Sequence, residues 1–305
     1  MKNLNAINKW GLFVEKVYQN DPFFSMHTKK FNLAKNSKVF TIGSCFARSI
    51  EEALANDFQF PITQYVGDDN EYKARRKRGI LNKFTPSSIL HELNWLLNIF
   101  DGADFTQTTK DFFSYKVNEE YYIDLGLQHY VPINKERFLN RRKEIYNIYS
   151  ELKHCDSIII TFGLIEEWKF KKNPIQHAPN RKEMLKKDNN KFIFNILTIN
   201  DTEKIISEII DKLFLINQKI KVILTVSPVP LEATFSNEHI LVANSLSKST
   251  LRSSLKNLVD KKNVDYFPSY EMVNAYGPNA FEKDLRHVKS EIVQNVFNIF
   301  KKTYF

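Results

Sequence analysis

The sequence predicts an α/β fold: a three-layer sandwich with a central, mainly parallel sheet, helices on both faces, and insertions. Two observations carry this. Short apolar runs rich in β-branched residues recur at 38–42, 157–161, 222–226 and, more weakly, 264–267, the pattern of strands buried on both faces. At least one stretch of helical periodicity separates each run from the next, as parallel strands require, because a crossover must return the chain to the starting end of the sheet.

Taken in order, the first run ends abruptly in Gly43-Ser44-Cys45, and a helical pattern over 47–58 begins at once. Residues 60–65 read as a further strand. Helical patterns at 88–100 and 135–152 lead to the second run, 202–216 to the third and 242–259 to the fourth; 290–301 closes the chain. Two regions break the repeat. Residues 111–132 are rich in Tyr and Phe with rough alternation, which predicts a small hairpin excursion. Residues 169–195 are polar and basic and read as an insertion at the sheet end where long loops cover sites. The expected organisation is an N-terminal extension, 1–35, packed on one domain, 36–305, with insertions near 101–132 and 169–195.

A chain of 305 residues with 43% hydrophobic content can bury a real core, which argues against disorder. The net charge of +9 admits an acidic partner, but the excess sits in clusters such as YKARRKRG (72–79) and NRRK (140–143), which read as solvated faces. Two cysteines, Cys45 and Cys155, make no disulfide framework, and no Cys/His spacing offers zinc ligands. The start lacks a secretory pattern and no run reaches the roughly 18 apolar residues of a membrane span, so a reducing, cytoplasmic location is expected, with room for peripheral contact at the inner membrane face.

The corner at Gly43-Ser44-Cys45 is where chemistry is expected. Ligands of open α/β sheets bind where strands end and helices begin, because the loops diverge there and helix N-termini present N–H groups. Ser44 falls on that edge, as an N-cap for the following helix or as a nucleophile. A nucleophile needs a base, and Asp284 and His287 form a D-x-x-H arrangement just before the last helix, on the same expected edge. Cys45 raises the rival of a thiol nucleophile with a lowered pKa, but cysteine's preference for burial makes it filler behind the serine.

These residues resemble a family. FTIGSCFARSIEEAL (40–54) is similar to the block that gives the GSCFA family its name, which looks like a branch of the SGNH (GDSL-like) hydrolase superfamily. The resemblance continues through RGILNKFTPSSIL (78–90), ITFGLIEEW (160–168), TVSPVPLEATF (225–235), ANSLSKSTLR (243–252), YFPSYEMV (266–273) and DLRHV (284–288), spanning about residues 36–300 in the family's order. It implies Ser44 as nucleophile, His287 as general base and then acid, and Asp284 as the group that fixes the imidazole. It also implies an oxyanion hole from the Ser44 and Gly79 backbone N–H groups. The superfamily's G-x-N-D block reads Gly163-Leu164-Ile165-Glu166 here, so Ile165 cannot donate and Asn82 becomes the substitute candidate.

Weaker candidates for substrate binding are Glu166, Trp168, Lys248 and Arg252; for the last two a solvated helix face is the competing reading. His91, His129, His154, His177 and His239 show no metal spacing, and no metal is expected. The resemblance implies O-acyl, chiefly O-acetyl, transfer or hydrolysis on a carbohydrate through an acyl-enzyme. The expected emphasis is a polysaccharide O-acetyltransferase, with an esterase of the same mechanism and a noncatalytic module for anionic glycan as alternatives. No permanent cofactor is expected; acetyl-CoA or a similar donor would be a co-substrate. The expected partner is a glycan, anionic if the basic surface contributes, and no DNA-binding motif accompanies the charge.

Overall fold

The computed structural model describes residues 10, 27–57, 65, 71, 79, 81–127, 131–175 and 188–305. The first half contains β1 (Val39–Gly43), α1 (Cys45–Asp57), α2 (Pro86–Phe100), α3 (Phe105–Phe113), β2 (Ser114–Lys116), β3 (Tyr121–Asp124), β4 (Ile133–Asn134) and α4 (Lys135–Ser150). The second contains β5 (Ser157–Phe162), β6 (Glu166–Phe170), β7 (Asn173–Ile175), β8 (Phe192–Ile196), α5 (Ile199–Ile216) and β9 (Lys221–Val226). It closes with α6 (Ile240–Ser254), β10 (Val264–Tyr266), α7 (Ser269–Ala275) and α8 (Ser290–Tyr304).

The four expected apolar runs pair in parallel in the order β1-β5-β9-β10. Successive strand residues point to opposite faces, and each face has its own helices. Val39, Ile159 and Ile223 bury against α1, α7 and α8 through Phe46, Ile50, Met272, Val296 and Phe300. Phe40, Ile42, Ile158, Ile160 and Leu224 bury on the other side against α2, α4, α5 and α6. The expected three-layer sandwich is therefore the observed one. Local sequence starts the helices: Thr85 caps α2 ahead of Pro86, and a Thr198/Asp201 capping box opens α5.

The strand predicted over 60–65 lies outside the described residues apart from Tyr65. The excursion expected at 111–132 is a three-stranded antiparallel sheet, β2-β3-β4, following the end of α3. The region taken as a polar insertion carries β6, β7 and β8 in a second small sheet, order β7-β6-β8. Its strands are short, three to five residues, so their alternation is weak in the sequence.

The NRRK cluster corrects another expectation. Arg141 and Arg142 are fully buried rather than solvated. Arg142 forks onto Asp124, with Nε at 2.6 Å, and donates to Glu92 at 2.7 Å. Lys83 completes the cluster, its Nζ 2.6 Å from Glu92, while its backbone N–H donates to the Gly43 carbonyl at 2.7 Å. Burial pushes the Lys83 ammonium down from the ordinary lysine value and Glu92 pulls it back up. A closed buried network thus holds the segment that braces the β1–α1 corner.

Candidate active site

Gly43 is required at that corner. Its φ is 140°, and a Cβ built on it would stand 2.2 Å from the Thr161 carbonyl oxygen on β5. Ser44 follows, still tied to the sheet, its N–H donating to Thr161 O at 3.0 Å. That bond commits the donor which the resemblance assigned to an oxyanion hole. Ser44 is 2% exposed, and its Oγ is sealed from solvent with no hydrogen-bond partner among the described residues. The Oγ therefore does not act as the N-cap acceptor that the sequence allowed. Gly163 closes over it: a Cβ there would lie 3.2 Å from Ser44 Cβ and 3.1 Å from Phe84 O.

Cys45, the first residue of α1, is half-buried and faces a pocket of about 240 Å³. It packs in part against the core on this face of the sheet, so the expected filler role holds for the side of the residue turned inward, while the pocket lies on the other. His287 lines the same pocket. The imidazole Nδ1 lies 2.5 Å from Asp284 Oδ2, and Asp284 Oδ1 accepts the backbone N–H groups of Arg286 at 2.9 Å and His287 at 3.0 Å. These bonds to His287 and to the backbone hold the Asp284 carboxyl well below the usual carboxylate range. An anionic acceptor makes Nδ1 the protonated nitrogen and leaves Nε2 as the basic one.

The turn is built for this. Leu285 takes φ of 53°, Glu282 N–H donates to His287 O at 2.7 Å, and Phe281 bridges Val288 across the turn. Arg286 ties it to the neighbouring loop through Pro230 O at 3.3 Å and Glu232 at 3.1 Å. The structure thus joins Asp284 to His287 and places His287 in the lining of the pocket that Cys45 also lines; no hydrogen bond links Ser44 Oγ to either.

Of the other expected residues, Gly79 and Asn82 are buried beside the corner, with Asn82 N–H donating to Gly79 O at 3.1 Å. Ile165 is buried and donates only through its backbone, to Ser247 Oγ at 3.1 Å. Glu166 anchors the 227–239 loop, accepting from Thr234 Oγ1 at 2.5 Å and Phe235 N–H at 3.0 Å. Trp168 packs against Phe194 and Phe235. Arg252 pairs with Glu271 at 2.8 Å and lies over the Tyr266 ring.

Lys248 is not on a solvated face. It is 1% exposed and donates to Gly163 O and Val229 O, both at 2.8 Å. Burial pulls its pKa down to about 7, against a favourable interaction with Cys45. Sequence spacing held a sign of this: Lys248 sits three and seven residues before Leu251 and Leu255, both fully buried. His129 and His177 lie outside the described residues. Among the described residues no cluster of His, Cys, Asp or Glu could hold a metal ion, and no helix is long and apolar enough to cross a membrane.

The fold and site define a class: an α/β sandwich whose first strand ends in a Ser-Cys corner and whose C-terminal turn brings an Asp–His pair to the same pocket. The chain belongs to the GSCFA family, whose model matches residues 38–300. Among solved structures it is similar to a family 3 carbohydrate esterase from Talaromyces cellulolyticus, at 9% identity over 87% of this chain and 95% of that chain, TM-score 0.37. It is also similar to a family 3 carbohydrate esterase from Clostridium thermocellum, at 11% identity over 87% and 94%, TM-score 0.35. An alpha/beta hydrolase enzyme from the metagenome of Lake Arreo, Spain, is similar at 13% identity over 89% and 96%, TM-score 0.34. A search of curated proteins finds no match.

Proposed function

We propose that this protein moves an O-acyl group, acetyl in the first instance, to or from a carbohydrate through an acyl-enzyme formed at the Gly43–Cys45 corner. The observation that carries the proposal is the Asp284–His287 pair, 2.5 Å apart, whose imidazole faces the pocket that the first turn of α1 lines. His287 Nε2 takes the nucleophile's proton during attack and returns it to the leaving alcohol; Asp284 holds the tautomer and offsets the positive charge that develops on the ring. Water or a sugar hydroxyl then resolves the acyl-enzyme by the same proton path.

Ester chemistry and a carbohydrate acceptor are what the resemblance of the sequence blocks implies, and the pocket suits a neutral sugar. Ser49, Glu52, Ser290 and Gln294 line it, groups that exchange hydrogen bonds with hydroxyls, and its described lining contains no Lys or Arg. An anionic glycan is therefore not favoured at this pocket. Acetyl-CoA remains the proposed donor for the transfer branch.

The test is turnover of a chromogenic acetyl ester, run alongside mass-spectrometric detection of acetyl transfer from acetyl-CoA to sugar acceptors. Turnover of the ester with acetylated sugar as product supports transferase action; turnover with free acetate as the sole acyl product supports an esterase. Absence of both activities in folded protein overturns the proposal.

A further inference from the structure

We infer that the nucleophile of this site is the thiol of Cys45, with Ser44 a buried residue of the corner. The inference rests on the acyl-transfer reading above and deepens it, because it decides which atom carries the acyl group. Three observations support it. Accessibility is the first: Ser44 Oγ has essentially no solvent-accessible surface and its side chain packs against Gly163, whereas Cys45 lines the pocket. A substrate carbonyl in this pocket therefore meets Cys45, while Ser44 Oγ is sealed from it.

Pairing is the second observation. His287 lines the same pocket as Cys45, together with Phe46 and Ser49 from the first two turns of α1. A nucleophile and its base must meet through a shared space, and the pocket is that space. Electrostatics is the third. Cys45 opens a helix of 13 residues, and the positive end of a helix favours a thiolate.

The step balances without any redox partner. His287 Nε2 accepts the Cys45 proton, and Sγ forms a bond to the ester carbonyl carbon. The adduct collapses by breaking the ester C–O bond, and the departing alkoxide takes the proton from His287. A thioester remains. The acceptor hydroxyl or water, losing its proton to His287, attacks the thioester carbonyl, and the sulfur leaves to regain its proton.

The experiment uses the intact protein and 4-nitrophenyl acetate as probe: brief reaction, acid quench, digestion and mass mapping of the acetyl group. The expected result is acetyl on Cys45, released by neutral hydroxylamine as a thioester is, with formation slowed roughly 10²-fold or more in His287→Ala. The wild-type map needs no mutant to fold; Cys45→Ala then removes the adduct. Acetyl on Ser44 overturns the inference and leaves acyl transfer standing. Acetylation of Cys45 at an equal rate in His287→Ala also overturns it, because it marks a merely exposed thiol. No adduct and no turnover in folded protein overturns the acyl-transfer reading and the inference together.

Discussion

Two charged constellations meet at the corner after β1, and they are built in opposite ways. The Arg142–Asp124–Glu92–Lys83 cluster is buried, with each side chain at most 1% exposed and each cation held by a carboxylate. The Asp284–His287 pair is about half exposed, and only one imidazole nitrogen is held. A closed network in low dielectric fixes position, because every alternative leaves a buried charge unmatched. A half-open pair beside a pocket keeps a proton site for a reacting molecule. The first has the build of scaffold and the second the build of the proposed chemistry, and the difference can be measured.

The largest effect is expected where the pair is broken. His287→Ala should lower ester turnover by roughly 10²–10⁴-fold while leaving urea unfolding within about 0.5 kcal/mol, since the side chain is exposed. Arg142→Leu should do the reverse in kind: a loss of about 3–5 kcal/mol in urea unfolding, from leaving Asp124 and Glu92 unmatched. If Arg142→Leu unfolds like wild type, the cluster is not the scaffold described here.

Lys248 sharpens the contrast through pH. Its folded pKa, about 7, lies below the unfolded value near 10.4, so between those values the unfolded chain binds more protons and stability rises with pH. Below pH 7 the buried ammonium is penalised in full. The wild type should therefore gain up to a few kcal/mol over Lys248→Met between about pH 7 and 9.5, read from paired thermal melts. A pH-independent difference would mean that Lys248 titrates normally.

Smaller effects follow. Asp284→Asn should cost roughly tenfold to hundredfold in turnover, short of the ~10⁴ seen for a buried triad aspartate, because water screens an exposed pair. The Asp284 carboxyl stays ionised across the assay range, so it adds no acidic limb to the wild-type pH profile. Arg252→Ala should change unfolding by about 1 kcal/mol or less and leave turnover alone, since its pair with Glu271 stays in reach of solvent, with more than a third of the Arg252 side chain exposed.

Much of this was legible in the sequence. The four β-branched runs predict the four parallel strands because strands buried on both faces have few other compositions. Ser44-Cys45 at a strand end and the D-x-x-H spacing predict the two halves of the site. Exposure was not legible at one-residue resolution: whether the strand-to-helix turn turns out Ser44 or Cys45 depends on Gly163, contributed from more than a hundred residues away. The buried cations were half legible. Phe138, Arg142, Ile145 and Tyr149 share one helical stripe, a periodicity that marks Arg142 as core-facing, but its partners Glu92 and Asp124 come from other elements. The small sheet at β6–β8 was missed because its strands are short and set among polar, lysine-rich connections in the sequence.

The most direct measurement is a double-mutant cycle on Cys45 and His287, followed by acetyl ester turnover. Residues that act as one unit are strongly non-additive, so Cys45→Ala, His287→Ala and the double variant should all fall to about the same residual rate. Losses that multiply, with the double variant far below either single, would show two independent contributions and contradict the account of one nucleophile and its base.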